Sequence, residues 1–101
     1  MREVMTEPII IFAKITPKSQ FYKDVEDTLL RVIPIALKEA GCLALKLYRG
    51  KEDGLIYIYE VWKDDEARAF HSAQSYTKEV LRNFQTWLSE PMEVLNLTRM
   101  I

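Results

Sequence analysis

Leu55-Ile56-Tyr57-Ile58-Tyr59-Glu60-Val61-Trp62, continuing through Lys63-Asp64-Asp65-Glu66 into the segment Ala67 to Ala73, decides how this chain folds. A period of two puts Ile56, Ile58, Glu60 and Trp62 on one face of a strand and Leu55, Tyr57, Tyr59 and Val61 on the other, and both faces are largely apolar. Asp64 or Asp65 then stands where a helix N-cap is expected, and Glu66 suits the positive end of the helix dipole. The short helix that follows carries Phe70 and His71. Strand and helix together should deliver a carboxylate, an indole and the chain's only imidazole to one neighbourhood.

Upstream of this stretch, Cys42 to Arg49 alternates again, with Leu43, Leu45 and Leu47 on one face and Ala44, Lys46 and Tyr48 on the other. The intervening Gly50 to Gly54, which carries Asp53-Gly54, reads as the turn of an antiparallel hairpin. Pro8 to Ile15 is short, β-branched and followed closely by Pro17, hence a strand with Ile9, Ile11, Ala13 and Ile15 on one side and Ile10, Phe12 and Lys14 on the other. From Ser19 to Ala40 the period becomes helical, through Phe21, Val25, Leu29, Val32, Ala36 and Ala40. Pro34 predicts a kink or local break near Leu30, and Gly41 is expected to end the helix in a left-handed conformation. Downstream, Ser75 is the expected cap of a helix presenting Tyr76, Val80, Phe84, Trp87 and Leu88, which Glu90-Pro91 ends. Val94, Leu95, Leu97 and Ile101 suit a closing strand.

This order predicts a βαββαβ, ferredoxin-like α+β fold in one domain over residues 1–101, a four-stranded antiparallel sheet with its helices on one face. The helix-facing layer would hold Ile9, Ile11, Ala13, Leu43, Leu45, Ile56 and Ile58, with Glu60 and Trp62 in phase. The opposite layer, Ile10, Phe12, Tyr48, Tyr57, Tyr59 and Val61, is too apolar to be left in water, so a homodimer through the sheet face is expected.

Composition removes other classes. The 101 residues carry 14 basic against 15 acidic side chains, with no Lys/Arg cluster interleaved with aromatics, so nucleic acid is not an expected partner. Met1 to Pro8 does not read as an export leader, and no apolar run approaches the ~20 residues that span a bilayer, so a soluble, cytoplasmic protein without membrane contact is expected. Cys42 is alone and cannot form an intrachain disulfide. One Cys with one His does not make a zinc site of the usual four ligands, and no metal is expected.

Four pieces of sequence, Ala13-Lys14-Ile15, Glu39-Ala40-Gly41-Cys42, Glu60-Val61-Trp62-Lys63-Asp64 leading to Phe70-His71-Ser72, and Glu90-Pro91-Met92-Glu93-Val94, together resemble the antibiotic biosynthesis monooxygenase domain over nearly the whole chain. The resemblance implies a dimeric α+β barrel with a cavity between helices and sheet. For the characterised enzymes it implies oxidation of quinols, anthrones or related aromatics by O₂ with no flavin or metal. The wider superfamily includes heme-degrading oxygenases, isomerases of small phosphorylated carbonyl compounds, and domains of no known activity. Heme degraders place an asparagine where Ala13 stands, and their heme-ligating histidine lies further along the chain than His71, so neither heme nor another cofactor is expected.

Within that resemblance His71 is the candidate general base, with Glu60 holding the imidazole through its other nitrogen. The bland alternative is a structural His71–Glu60 pair fixing helix to sheet. Trp62, Phe21, Tyr76 and Ala13 are the candidate walls for a small apolar or aromatic ligand, against plain core packing. A non-catalytic binding module of the same fold and an isomerase are the competing functions, the latter requiring a cationic clamp from residues such as Arg49, Arg68 or Arg82.

Overall fold

Between Pro8 and Pro17, which cannot donate to a ladder, the β-branched run forms β1 (Ile9–Ile15). The computed structural model describes residues 7–101; the polar lead over residues 1–6 lies outside them. After a 3₁₀ turn at Ser19–Phe21 come α1 (Tyr22–Ala36), β2 (Cys42–Arg49), β3 (Ile56–Trp62), α2 (Asp65–Ala73), α3 (Ser75–Trp87) and β4 (Glu93–Leu97). The sheet has the order β2-β3-β1-β4 with every neighbour antiparallel, the ferredoxin-like arrangement.

Register fixes the two layers. Ile15, Ala13, Ile11 and Ile9 oppose Ile56, Ile58, Glu60 and Trp62, which places the carboxylate and the indole in the helix-facing layer. Against that layer α1 and α3 close a core of Ile15, Val25, Leu29, Val32, Ile56, Ile58, Val80 and Phe84. Among the described residues nothing covers the other layer: Ile10, Phe12, Tyr57, Tyr59 and Val61 are only half-buried, and Tyr48, Leu95 and Leu97 are 49%, 48% and 45% exposed.

Four local expectations need correction. Leu43 does not join Leu45 and Leu47: a bulge sets Cys42 opposite Trp62 and Ala44 opposite Val61, so Leu43 drops out of the ladder and is 55% exposed. The long helix is unbroken near Leu30 and runs through Pro34, but it stops at Ala36 instead of Ala40. Its end tightens through Lys38 N–H to Ile35 C=O (3.1 Å) and Glu39 N–H to Ala36 C=O (3.0 Å). Gly41 is not left-handed, since Gly54 in the hairpin turn, at φ 69°, is the one glycine with positive φ among the described residues. Ser75 is the first residue of α3 and not its cap; Gln74 holds that position, without a side-chain cap bond.

Gly41 is required by proximity instead. A Cβ there would sit 2.2 Å from Ala67 Cβ, and the Gly41 carbonyl accepts the Lys63 N–H at 2.8 Å. The chain entering β2 thus runs directly against α2. Gly41→Ala is expected to lower stability by about 1–3 kcal/mol through overpacking, read as a lower denaturant midpoint. Adding Ala67→Gly should restore more than additivity allows, because it removes the atom in the way.

Candidate active site

The close approach at Gly41 aims Glu39 inward. Its N–H is bound to Ala36 and its carbonyl to the Cys42 N–H (3.0 Å each), so the α1–β2 turn holds the residue at both ends. The side chain is only 9% exposed, and Oε2 lies 2.7 Å from His71 Nδ1. The Tyr76 hydroxyl donates to that same Oε2, while Oε1 is buried without a partner among the described residues. Three separate elements therefore converge on one carboxylate.

His71 stands in the last turn of α2, whose start is fixed by the Asp64 carboxylate accepting the Ala67 N–H at 2.8 Å. The imidazole lies on the indole of Trp62, ring centres 4.4 Å apart and planes 28° from parallel, with the Tyr76 ring edge-on at 5.9 Å. Glu39 was missed as a site residue by the sequence reading, which gave its role to Glu60. Glu60 Oε1 instead accepts the indole Nε1–H of Trp62 at 2.8 Å. With a carboxylate at Nδ1, the imidazole carries its proton there and presents Nε2 as the lone-pair nitrogen.

A cavity of about 100 Å³ lies between sheet and helices, with Glu60, His71, Tyr76 and Thr77 among its lining and apolar walls from Leu29, Val32, Ile58, Val80, Phe84 and Met92. Of the sequence candidates, His71, Glu60 and Tyr76 line it. Trp62 does not: it is fully buried beneath the imidazole. Phe21 is not part of the lining and is stacked on Trp87 at 6.1 Å, and Ala13 is buried in β1 between Ile58 and Val94.

Among the described residues no Lys or Arg side chain lines the cavity; Arg49 is paired with Glu26, and Arg68 is 3.4 Å from Asn96. Among the described residues no three His, Cys, Asp or Glu side chains group to hold a metal ion. Burial, then the carboxylates of Glu39 and Glu60, push the Cys42 thiol up, so at neutral pH it is a protonated, inert group.

Burial and the Glu39 carboxylate push Tyr76 well above the usual phenol range, which keeps it a donor. The folded state holds this proton more tightly than the unfolded one. The stabilisation is therefore complete below the ordinary tyrosine value of about 10 and is lost as pH rises beyond it. Tyr76→Phe should make the alkaline decline in unfolding free energy shallower than in the wild type. Tyr57, whose proton is held by Asp53, titrates in both proteins and cancels from the difference.

The sequence profile of the antibiotic biosynthesis monooxygenase family matches residues 8–83. No curated protein matches the chain. Among solved structures it is similar to Rv0793 from Mycobacterium tuberculosis (TM-score 0.89, 19% identity, covering 94% of this chain and 97% of that one). It is also similar to PA3566 from Pseudomonas aeruginosa (TM-score 0.88, 26% identity, 98% and 100% covered). A third likeness is to a Bacteroides thetaiotaomicron protein described as a candidate antibiotic biosynthesis monooxygenase (TM-score 0.85, 20% identity, 94% and 91% covered). With a profile match over most of its length and the fold to go with it, the chain belongs to the antibiotic biosynthesis monooxygenase family.

Proposed function

We propose that this protein is a cofactor-independent monooxygenase that oxidises a small, uncharged, quinol-like or enolic compound with O₂. The observation that carries the reading is the fixed imidazole: Nδ1 is tied to buried Glu39, and His71 lines an apolar cavity. Nε2 would take a proton from a phenolic or enolic substrate, and the Glu39 carboxylate would stabilise the imidazolium that forms. The substrate anion passes one electron to O₂, the radical and superoxide combine at carbon, and the resulting peroxide anion takes the proton back from the His71 imidazolium. The hydroperoxide then loses water, leaving one oxygen atom as a carbonyl and the other in water. Apolar walls keep the charged intermediates away from bulk solvent.

Two rival activities fare unequally. An isomerase of phosphorylated carbonyl compounds needs a cationic clamp, and the cavity wall has none among the described residues, with Glu60 there to repel the anion. A binding module is favoured by one feature: about 100 Å³ is below the usual ligand-site range of roughly 300–1,000 Å³. Such a volume suits at most a single ring unless the walls move.

The uncovered sheet layer supports a homodimer, sheet to sheet about a two-fold axis, because Tyr48, Leu95 and Leu97 join the half-buried aromatics in one apolar surface. Among the described residues no helix is long and apolar enough to cross a membrane.

Purified protein given single-ring quinols should consume O₂ without added flavin or metal. His71→Ala should reduce kcat/KM by about 10²-fold or more. Rates no higher than those without protein would overturn the enzyme reading, and ligand binding unchanged in His71→Ala without turnover would favour the binding module. By light scattering the protein should have twice the 11.9 kDa mass of one chain. Leu95→Glu, at a position open to solvent in the single chain, should yield a folded monomer.

A further inference from the structure

The Glu39 bond frees Glu60 from the role of holding His71, and the question becomes what Glu60 does on the cavity wall. Its Oε1 is committed to the Trp62 indole N–H at 2.8 Å. Its Oε2 has no protein donor among the described residues and, unlike Glu39 Oε1, is not sealed from contact. His71 is in the same condition, with Nδ1 engaged and Nε2 without a partner. The Tyr76 hydroxyl gives its proton to Glu39 and can offer a ligand no donor, and Thr77 Oγ1 is too deeply buried to meet a ligand. The polar groups left to a ligand on this wall are thus acceptors, and the two without any bond of their own are a carboxylate oxygen and an imidazole nitrogen, held on separate supports from β3 and α2. The remainder of the wall is apolar, with no cation to welcome a carboxylate or phosphate.

We propose that Glu60 contacts the ligand directly, and that the site takes an uncharged single-ring compound bearing two hydroxyl donors, one bound by His71 Nε2 and the other by Glu60 Oε2. This rests on the reading of the cavity as the substrate site and narrows its substrate class. A compound with one hydroxyl leaves one buried acceptor dry and unpaired, which costs affinity. An ether or ketone in place of the second hydroxyl sets acceptor against carboxylate.

The test is anaerobic titration of the intact protein with the three benzenediol isomers, their monomethyl ethers and phenol, followed by tryptophan fluorescence; Trp62 lies against His71 and bonds Glu60. At least one diol should bind about tenfold or more tightly than both phenol and its own monomethyl ether. In Glu60→Gln the amide oxygen would take over the Trp62 N–H and turn an NH₂ donor toward the ligand, so the diol preference should vanish. Equal binding of diols and phenol by the wild type, no binding by any of these probes at millimolar concentration, or a preference that survives Glu60→Gln would each overturn the proposal. The wild-type series stands even if the variant fails to fold. Diol preference without O₂ consumption would defeat the monooxygenase reading alone, and O₂ consumption without diol preference would defeat this one alone.

Discussion

One buried carboxylate ties this structure together. Glu39 accepts from His71 on α2 and from Tyr76 on α3, while its own backbone is bound at both ends in the turn between α1 and β2. Taking such a group out of water costs more than two hydrogen bonds comfortably return, and Oε1 has no partner among the described residues. An apolar residue at this position would serve packing as well or better. What packing alone does not supply is an imidazole with a defined tautomer, stacked on an indole that is itself fully buried. The expensive feature of the fold and the chemically useful one are the same.

The sheet explains why that arrangement is rigid. Trp62 is completely buried at the end of β3 and supports two groups at once, His71 through its face and Glu60 through its N–H. Because β3 is central, paired with β1 on one side and β2 on the other, neither the indole nor the carboxylate can shift without disturbing two ladders. The opposite layer of the sheet has no comparable support among the described residues. A covering subunit would bury Tyr48, Tyr59 and Leu95 and stiffen the platform from behind, which links the proposed dimer to the geometry of the site without placing the partner in it.

Much of this could be read from residue spacing. Period-two alternation in β1 and β3 gave the correct faces, and the helical stripe through Val25, Leu29 and Val32 is the buried side of α1. Spacing failed where a single residue's geometry decides. The bulge that ejects Leu43 changes no residue type and leaves alternation intact on paper. Gly41 looked like a helix terminator because a glycine after a helical run usually is one, yet its constraint is a side chain from α2, distant in sequence. Glu39 was hidden for a related reason. A glutamate near a helix end has the appearance of a solvated charge, and only the early stop of α1 at Ala36 turns it inward to displace Glu60 as the partner of His71. Its place in Glu39-Ala40-Gly41-Cys42, beside a glycine with no room for a side chain, was the available signal.

The division of labour between the two glutamates bears on what the cavity is for. A receptor for an apolar metabolite gains from walls such as Val32, Val80 and Phe84 and gains little from fixing which imidazole nitrogen carries a proton. A base does gain: with Nδ1 held by Glu39, transfer of a substrate proton to Nε2 creates a cation already beside its counter-charge, with no reorganisation at that moment. Glu60, by contrast, stabilises no cation on His71 through a direct bond and is oriented by a neutral donor. The two carboxylates thus stand differently: Glu39 is bonded to the imidazole of His71, whereas Glu60 is bonded to the indole of Trp62 and lines the cavity.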